Sequence, residues 1–389
     1  MKKKIIILGS TGSIGQSTLE VIKKDKKNFE IILLTANNNY KKIIKQAKEF
    51  KAKNVLIKNA EFFLKVKSSL KKNNTKVYTG NVNINKIVKK KVDYTMSSIV
   101  GLAGLQPTID AIKISKTVAI ANKETIICAW PILSKAIKKY KTKIMPVDSE
   151  HFSIMELTKN VSNDEVEELI ITASGGPFLN VLRNKLKKIK PSQAIKHPNW
   201  KMGKKISVDS ANLMNKVFEV IEACNLFNFD KSKYKVMIHP QSYVHSIIRF
   251  KNGLTKAILY NADMKIPISN ILHQSKNGYQ KSSNANIIKK LNSMTFQEVD
   301  PLKFPSIKLI KKCFNCGFST PIIINAANEI LVDLFLKGKI EFLDIVKTIN
   351  KILKDKDFKK YAKRKVSSLK VIKNTDKWAR LKTKAMCVV

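Results

Sequence analysis

The chain has 389 residues, and its 74 Lys and Arg against 29 Asp and Glu give a formal net charge of +45. The 44% share of hydrophobic residues is enough for a large core, which excludes a disordered polyelectrolyte, and the length favours two or three domains. No apolar run approaches the roughly 18 residues of a membrane-spanning helix. We therefore expect no membrane partner.

The composition of the positive charge argues against a nucleic-acid partner. Only Arg183, Arg249, Arg364 and Arg380 contribute guanidinium groups, and the other basic residues are Lys scattered among abundant Asn and Ile. Arg supplies the bidentate contacts to guanine and phosphate that a dedicated binder uses. A bias toward A- and T-rich codons explains the excess of Lys, Asn and Ile better than a selected nucleic-acid-binding surface does. A basic nucleic-acid-binding protein stays as an alternative, which predicts affinity that falls steeply with salt.

The cysteines and the N-terminus favour a reducing cytoplasm. The five cysteines are sparse and odd in number, which is atypical of a disulfide framework, and no second Cys or His pair accompanies Cys313 and Cys316 at zinc spacing. After Lys2, Lys3 and Lys4, the apolar run of residues 5–8 is too short for a signal-peptide core. We expect no leader peptide and a cytoplasmic location.

Residues 1–150 alternate short β-branched runs with segments of helix length. Predicted strands cover residues 5–8, 31–34, 55–57, 94–99, 117–120 and 143–146. Strands separated by helices are typical of βαβ units. We predict an α/β fold whose N-terminal part, residues 1–148, is a Rossmann-like parallel sheet.

The rest of the chain changes character twice. Residues 149–273 combine a Gly-Gly-Pro turn, a loop-rich stretch, a predicted helix over about 210–223 and strands over 235–238 and 244–250, which indicates a central α+β domain. Residues 274–300 are polar and predict a linker. Apolar residues then recur at helical spacing and predict a C-terminal helical domain over residues 301–389.

A glycine-rich segment follows the first predicted strand. It reads Gly9-Ser10-Thr11-Gly12-Ser13-Ile14-Gly15 and opens a predicted helix. A turn of this kind lets the backbone approach a pyrophosphate, and the helix N-terminus adds N–H groups and a positive dipole. The segment predicts a dinucleotide site, and a purely structural turn is the alternative.

The end of the second predicted strand favours NADP over NAD. The segment Asn37-Asn38-Asn39 has no carboxylate that would bind a ribose hydroxyl and repel a 2′-phosphate. Lys41 or Lys42 could attract that phosphate. The alternative for these two lysines is a solvated helix surface.

Asp148 and Glu150 follow the sixth predicted strand. On an extended segment both side chains point to one face, at the carboxyl edge of the sheet where ligands bind. Hard oxygen ligands at that edge favour Mg²⁺ or Mn²⁺. The alternative is that Asp148 or Ser149 caps the following helix.

A second polar cluster spans residues 206–219. Asp209 or Ser210 can cap the predicted helix, and the spacing puts Asn215, Lys216 and Glu219 on one helical face. Such a face could hold a phosphate and a third metal carboxylate. An ordinary amphipathic helix with one ion pair is the alternative.

A third segment runs from His197 to Lys205 and includes Trp200, Met202 and Gly203. Its composition suggests a mobile loop that closes over a ligand, with Trp200 excluding water. The alternative is a loop anchored by a buried Trp. His239 and His245 are expected in the core.

Together, these segments resemble the 1-deoxy-D-xylulose 5-phosphate reductoisomerase family over nearly the whole chain. The matching motifs, in order, are Leu8-Gly-Ser-Thr-Gly-Ser-Ile-Gly15, Ala121-Asn-Lys-Glu124, Pro146-Val-Asp-Ser-Glu-His151, Ser174-Gly-Gly-Pro-Phe178, His197-Pro-Asn-Trp200, Met202-Gly203, Lys205-Ile-Ser-Val-Asp-Ser210, Met214-Asn-Lys216, Glu219, His239-Pro-Gln-Ser242 and Asn325-Ala-Ala-Asn-Glu329.

The resemblance implies a homodimeric oxidoreductase and isomerase of the non-mevalonate isoprenoid pathway. It would convert 1-deoxy-D-xylulose 5-phosphate to 2-C-methyl-D-erythritol 4-phosphate, with NADPH and Mg²⁺, Mn²⁺ or Co²⁺. Residues 1–148 would bind NADPH, and residues 149–273 would form the catalytic and dimerisation domain, with a flap over about 174–204.

The resemblance also implies roles for individual residues. The metal would be bound by Asp148, Glu150 and Glu219. The substrate phosphate would be bound by Ser174, Ser210, Asn215 and Lys216. The rest of the substrate would contact Lys123, Ser149, Glu150, His197, Trp200 and Glu219, with Met202 on the flap. The catalytic set would be Lys123, Asp148, Glu150, His197 and Glu219, with Lys123 a general acid or base. NADPH would contact Thr11, Gly12, Ser13, Ile14, Asn37, Asn38, Asn39, Asn122, Glu124 and Gly203.

Two segments depart from the family pattern. Asn38 stands where the family commonly has a basic residue, and the stretch from Tyr260 to Met264 lacks the Gly and Pro of the family. A semialdehyde or homoserine-type dehydrogenase is the alternative enzyme. Such an enzyme would share the glycine loop but would not require the three carboxylates.

Overall fold

The computed structural model describes residues 2–200, 202–273 and 287–387. The chain divides into two compact units. Unit 1 comprises Met1–Thr125, Leu133–Phe152 and Asp263–Ser283, and unit 2 comprises Ile126–Ile132, Ser153–Ala262 and Asn284–Val389. The predicted domain boundaries at residues 148, 273 and 300 stay a prediction.

Unit 1 contains a seven-stranded parallel sheet with the order β4-β3-β2-β1-β5-β6-β7. Its strands are β1 Lys3–Leu8, β2 Phe29–Ala36, β3 Asn54–Ile57, β4 Lys76–Thr79, β5 Val92–Ser97, β6 Ser115–Ile120 and β7 Lys143–Pro146. The strand order reverses at β1, where Ile5 pairs with Ile31 on one side and Tyr94 on the other. The predicted Rossmann-like sheet is confirmed. The sequence does not predict β4, a short and only partly buried edge strand.

The burial of β1 explains why its sequence is an unbroken apolar run. Residues Ile5, Ile6, Ile7 and Leu8 are fully buried. A parallel sheet is covered on both faces, so its central strands do not alternate between apolar and polar residues.

The helices follow in chain order. They are α1 Ser13–Lys24, α2 Tyr40–Phe50, α3 Phe63–Leu70, α4 Ile84–Ile87, α5 Leu105–Ile114, α6 Lys123–Tyr140, α7 Ser149–Leu157, α8 Pro191–Ala194, α9 Lys204–Ala211, α10 Met214–Phe227, α11 Lys265–His273, α12 Ile287–Asn292, α13 Leu309–Asn315, α14 Thr320–Leu336, α15 Asp344–Ile352, α16 Phe358–Ala362 and α17 Leu369–Met386. None of these helices, within the described ranges, is both long and apolar enough to cross a membrane.

Unit 2 contains a five-stranded mixed sheet with the order β11-β10-β8-β9-β12. Its strands are β8 Val166–Ala173, β9 Tyr234–Ile238, β10 Val244–Phe250, β11 Thr255–Leu259 and β12 Gln297–Glu298. β8 pairs in parallel with β9, whereas the other three pairings are antiparallel. The predicted α+β character is confirmed. The predictions missed β8 and the exposed edge strand β11.

The C-terminal helices confirm the predicted helical region. Helix α14 carries a long buried stretch that includes Asn325 and Asn328, and Ile345 and Ile349 form part of the buried face of α15. The predicted linker, residues 274–300, contains α12 and β12. Its residues 274–286 lie outside the described part of the chain.

Candidate active site

In unit 1, the glycine-rich segment forms the turn between β1 and α1. The helix begins at Ser13, and its N-terminus is exposed at Gly12. A side chain is excluded at Gly15, because a Cβ atom there would lie 2.6 Å from the Ser10 Cα. The amide of Gln46 donates a hydrogen bond of 2.9 Å to the Ser10 carbonyl and supports the turn. The geometry suits an anion at the helix N-terminus.

The end of β2 lies beside this turn. Asn37, Asn38 and Asn39 are exposed, and the Asn39 side chain caps α2 by accepting from the Lys42 N–H. The Lys42 ammonium donates a hydrogen bond of 2.8 Å to Gln16, whose amide donates to the Thr11 carbonyl. The charge of Lys42 is therefore close to the glycine turn, whereas Lys41 is exposed.

The N-terminus of α6 places a lysine against an aspartate. The Asn122 side chain accepts from the Thr125 N–H and donates to the Gly101 carbonyl, which holds the start of the helix. The Lys123 ammonium then lies 3.1 Å from an Asp148 carboxylate oxygen. Both Lys123 and its neighbour Glu124 are buried.

The predicted extended conformation of Asp148 and Glu150 is wrong. Strand β7 ends at Pro146 and α7 begins at Ser149, so the two carboxylates flank a helix start. The Asp148 carboxylate accepts the Glu150 N–H at 3.4 Å, as the capping alternative predicts. The Ser149 hydroxyl donates to the Glu150 carboxylate. The junction between β7 and α7 still presents the carboxylates of Asp148 and Glu150, two residues apart.

In unit 2, a glycine turn brings the Ser174 segment against the end of α9. Gly176 has a φ of +67°, and a Cβ atom there would lie 2.8 Å from the Ala211 Cα and 2.9 Å from the Ser210 carbonyl oxygen. The Gly176 N–H donates to the Ser174 hydroxyl oxygen at 3.1 Å. The two predicted phosphate ligands Ser174 and Ser210 thus lie on adjoining backbone segments.

The prediction that Asp209 or Ser210 caps a helix is wrong. Both residues lie inside α9, and α10 starts after a turn in which Leu213 adopts a left-handed conformation with φ of 60°. The Asn212 side chain accepts the Met214 N–H at 3.0 Å and satisfies the start of α10. The single helix predicted from about residue 210 is therefore two helices, α9 and α10, and the chain changes direction at the turn between them.

The first turns of α10 gather three polar side chains as predicted. The Asn215 amide and the Lys216 ammonium donate to the two carboxylate oxygens of Glu219. Glu219 is 1% exposed and Lys216 is buried. A buried carboxylate that accepts hydrogen bonds from an ammonium and an amide differs from the solvated ion pair of the amphipathic alternative.

His197 is held in one tautomer by its surroundings. Its Nδ1 accepts the N–H groups of Asn199 and Trp200 at 3.1 and 3.0 Å, so the proton of the neutral ring is on Nε2. Nε2 lies 2.9 Å from the Ser174 hydroxyl oxygen. Burial of the imidazole, together with the positive charge of Lys216, lowers the pKa of His197 to about 4.

The segment after His197 is anchored by Asn199, for which the sequence predicts no role. The Asn199 amide donates to the Pro240 carbonyl and the Ser242 hydroxyl at 2.6 and 2.8 Å. Trp200 is half-buried and packs edge-on against His245, with 6.0 Å between ring centroids. His239 and His245 are buried as predicted. Met202 and Gly203 are among the described residues, whereas Lys201 is not.

The predicted site residues thus form two groups, one in each unit. In unit 1 the structure gathers Thr11, Gly12, Ser13, Ile14, Asn37, Asn38 and Asn39 near the glycine turn, and Asn122, Lys123, Glu124, Asp148, Ser149 and Glu150 near the ends of β6 and β7. In unit 2 it gathers Ser174, His197, Ser210, Asn215, Lys216 and Glu219 near the Gly176 turn and α10. The roles of these residues stay predictions.

Three family models match successive parts of the chain. The 1-deoxy-D-xylulose 5-phosphate reductoisomerase model covers residues 5–130. The reductoisomerase C-terminal domain model covers residues 144–227, and the DXP reductoisomerase C-terminal domain model covers residues 259–382.

Relatives with this name align along almost the entire chain. The 1-deoxy-D-xylulose 5-phosphate reductoisomerase of Pelagibacter ubique is 46% identical over 99% of this chain and 100% of its own length. The solved reductoisomerase of Zymomonas mobilis, in complex with NADPH, is 35% identical, covers 100% of this chain and 99% of that one, and has a TM-score of 0.91. A second solved DOX-P reductoisomerase, with NADPH, fosmidomycin and magnesium, is 32% identical over 99% and 98% of the two chains, with a TM-score of 0.92. The chain therefore belongs to the 1-deoxy-D-xylulose 5-phosphate reductoisomerase family, as its motifs predict.

Proposed function

We propose that this chain converts 1-deoxy-D-xylulose 5-phosphate to 2-C-methyl-D-erythritol 4-phosphate, using NADPH and a divalent metal ion. Family membership makes it an NADPH-dependent oxidoreductase, and the solved relatives with NADPH and magnesium agree with the cofactors predicted from the sequence. The observation that carries the proposal for this chain is the start of α10, where Asn215 and Lys216 flank the buried carboxylate of Glu219.

We assign the metal to Asp148, Glu150 and Glu219. Carboxylate oxygens are the donors that Mg²⁺ and Mn²⁺ prefer, and each of these side chains already has a cationic or hydrogen-bonding partner suited to a charged form. When bound, the ion would polarise the hydroxyl and carbonyl oxygens of the substrate. The three acids fit a resident divalent cation by charge and by donor type.

We assign the substrate phosphate to Ser174, Ser210, Asn215 and Lys216. The Ser174 oxygen accepts from His197 and from the Gly176 N–H, so its own hydroxyl hydrogen can point toward an anion. Lys216 adds a buried positive charge, and Asn215 adds amide N–H groups. Charge-assisted hydrogen bonds of this kind would orient the sugar by its phosphate end.

Lys123 is the group we assign to proton transfer. In the rearrangement, a substrate hydroxyl loses its proton and its carbon becomes the aldehyde, while one carbon–carbon bond of that carbon is transferred to the neighbouring carbonyl carbon. The former carbonyl oxygen takes up a proton and becomes a hydroxyl. The Lys123 ammonium lies 3.1 Å from Asp148 and is buried at the N-terminus of α6, where a proton can be held close to the substrate oxygens. Ser149 and Glu150 would contact the same part of the substrate.

NADPH would supply the hydride that reduces the aldehyde. The exposed N–H groups at the start of α1, around Thr11, Gly12, Ser13 and Ile14, would face the pyrophosphate. Asn37, Asn38 and Asn39 present no carboxylate to repel a 2′-phosphate, and Lys42 adds a positive charge beside the turn. Asn122, Glu124 and Gly203 complete the assigned contacts.

The segment that contains His197, Trp200 and Met202 would close over the bound substrate. Its tethers through Asn199 give a defined position to the His197 ring, and the Trp200 ring would exclude water from the aldehyde. We also propose a homodimer in the cytoplasm. The homodimer rests on the family resemblance, and the location is supported by the five cysteines, which are all reduced.

The experiment is NADPH oxidation by the purified chain with 1-deoxy-D-xylulose 5-phosphate, with Mg²⁺ and after chelation. We expect turnover that needs both the sugar phosphate and the metal. Turnover with an amino acid semialdehyde, or turnover that chelation leaves unchanged, would contradict the proposal.

A further inference from the structure

Helix α9 is anchored to helix α14, in the C-terminal part of the chain, by a buried hydrogen bond. The Asn328 amide nitrogen lies 2.7 Å from one carboxylate oxygen of Asp209. The other oxygen of Asp209 lies 3.0 Å from the Lys205 ammonium. Asp209 is 1% exposed and Asn328 is 0% exposed. Each carboxylate oxygen therefore has its own donor, one from α9 and one from α14.

The chemistry of this pair fixes its orientation. An ionised carboxylate only accepts hydrogen bonds, so the Asn328 amide must present its N–H₂ group to Asp209. A hydrogen bond to a charged acceptor is among the stronger classes, and burial increases its electrostatic strength. Lys205 also lies over the Phe218 ring of α10, 5.4 Å from the centroid, which couples the charge of this pair to the next helix.

The anchored end of α9 is next to the proposed phosphate ligands. Asp209 immediately precedes Ser210, and Gly176 packs against the Ser210 carbonyl and the Ala211 Cα at a distance that allows no side chain. The following turn, held by a hydrogen bond from Ser306 to the Asn212 carbonyl, leads directly into α10. A shift of α9 would therefore displace the Ser174 segment, Ser210 and the start of α10 together.

We propose that Asp209 and Asn328 are positioning residues, through which α14 sets the geometry of the phosphate-binding cluster and so the affinity for the sugar phosphate. The proposal rests on the assignment of Ser174, Ser210, Asn215 and Lys216 to the phosphate. Neither positioning residue needs to touch the substrate. They act by setting the spacing of the groups that touch the substrate. A displacement of about 1 Å in such groups greatly weakens their effect.

The test compares Asn328→Ala with Asn325→Ala. Both residues are fully buried amides on α14, but the Asn325 amide bonds to Glu329 on its own helix and not to α9. We expect Asn328→Ala to raise the KM for 1-deoxy-D-xylulose 5-phosphate about tenfold, with a smaller change in kcat and no change in the KM for NADPH. Asn325→Ala should leave both KM values within about twofold of the wild type.

A second arm uses inorganic phosphate as the probe and does not depend on turnover. Phosphate binding to the wild type and the two variants, measured by isothermal titration calorimetry, should weaken in Asn328→Ala alone. If the wild type binds phosphate but does not turn over the sugar phosphate, the proposed function fails while the positioning role is still tested. If both variants weaken phosphate binding equally, the positioning role is wrong, because general loss of helix packing explains the effect.

Exchange of the two side chains provides the rescue. The double variant Asp209→Asn with Asn328→Asp restores an amide–carboxylate hydrogen bond with donor and acceptor reversed, and the new amide at position 209 still offers a carbonyl to Lys205. We expect it to bind phosphate within about threefold of the wild type, whereas each single change weakens binding about tenfold. If Asn328→Ala does not fold, Asn328→Ser replaces it. A double variant no better than its parents would overturn the proposal.

Discussion

The Nε2 atom of His197 lies 2.9 Å from the hydroxyl oxygen of Ser174. Because Nδ1 accepts two backbone N–H groups, the neutral ring donates from Nε2, and the Ser174 hydroxyl hydrogen is left for another acceptor. The pair therefore converts a serine into a directed donor at the place where we assign the substrate phosphate.

Protonation of His197 should make folding stability depend on pH. The pKa is lowered to about 4 by burial and by the charge of Lys216, whereas an unfolded His titrates near 6.5. Between these values the unfolded chain binds a proton that the folded chain does not, so stability falls as pH drops from about 6.5 to about 4. Urea denaturation at several pH values should show this slope, and His197→Asn should reduce it.

The titration of the ring gives an independent check of this prediction. The His197 C2–H resonance in an NMR spectrum should keep its neutral position until pH approaches about 4. A midpoint near 6.5 would mean that the ring is solvated in the folded protein. In that case the tautomer assignment and the directed Ser174 donor would both lose their basis.

Gly176→Ala should damage both stability and substrate binding. The substitution costs about 1–2 kcal/mol for the left-handed backbone and about 1–3 kcal/mol more for the contact with Ala211. Gly253→Ala is the matched control, since Gly253 has a similar φ of +86° but nothing within 4 Å of its added Cβ. Thermal unfolding should show the larger loss for Gly176→Ala.

Kinetics separate the two glycine variants further. Only Gly176→Ala should raise the KM for the sugar phosphate, because only this turn carries Ser174 against Ser210. Equal KM values for the two variants would show that the close contact has no part in substrate binding.

Lys42→Met should weaken NADPH binding more than NADH binding. Lys42 lies beside the glycine turn through its bond to Gln16, whereas Lys41 is exposed. Loss of one partly solvated charge contact should raise the KM for NADPH about fivefold. Lys41→Met is the control and should change neither value. A larger effect from Lys41 would reverse the assignment of the two lysines.

The metal assignment can be tested with two carboxylates of α10. Glu219 and Glu222 are both buried on this helix, and Asn215 and Lys216 donate hydrogen bonds to Glu219. We expect Glu219→Gln to raise the Mg²⁺ concentration for half-maximal activity at least about tenfold. Glu222→Gln should leave that concentration nearly unchanged. The opposite ranking would remove Glu219 from the metal site.

Much of the fold could be predicted, because unbroken apolar runs such as Ile5 to Leu8 allow few interpretations. Strands β4 and β11 could not, since short exposed edge strands have little apolar pattern. At the site, spacing predicted the shared face of Asn215, Lys216 and Glu219.

Other features of the site depend on long-range contacts and left no local signal. The sequence alone predicts a helix cap at Asp209, because an aspartate before a helix usually caps it. Its partner Asn328 lies 119 residues further along the chain. The extended conformation predicted at Asp148 and Glu150 is wrong because only residues 147 and 148 separate β7 from α7, so Glu150 already lies in the helix.

The identity of the product tests the central claim most directly, because a simple reductase and a reductoisomerase would both consume NADPH. The product of a simple reductase and the product of a reductoisomerase are isomers that differ in their carbon skeleton. We predict a methyl singlet in the proton NMR spectrum, from a methyl group on a carbon without hydrogen, as in 2-C-methyl-D-erythritol 4-phosphate. A methyl doublet would reveal a linear polyol from direct reduction of the ketone, and would contradict the account.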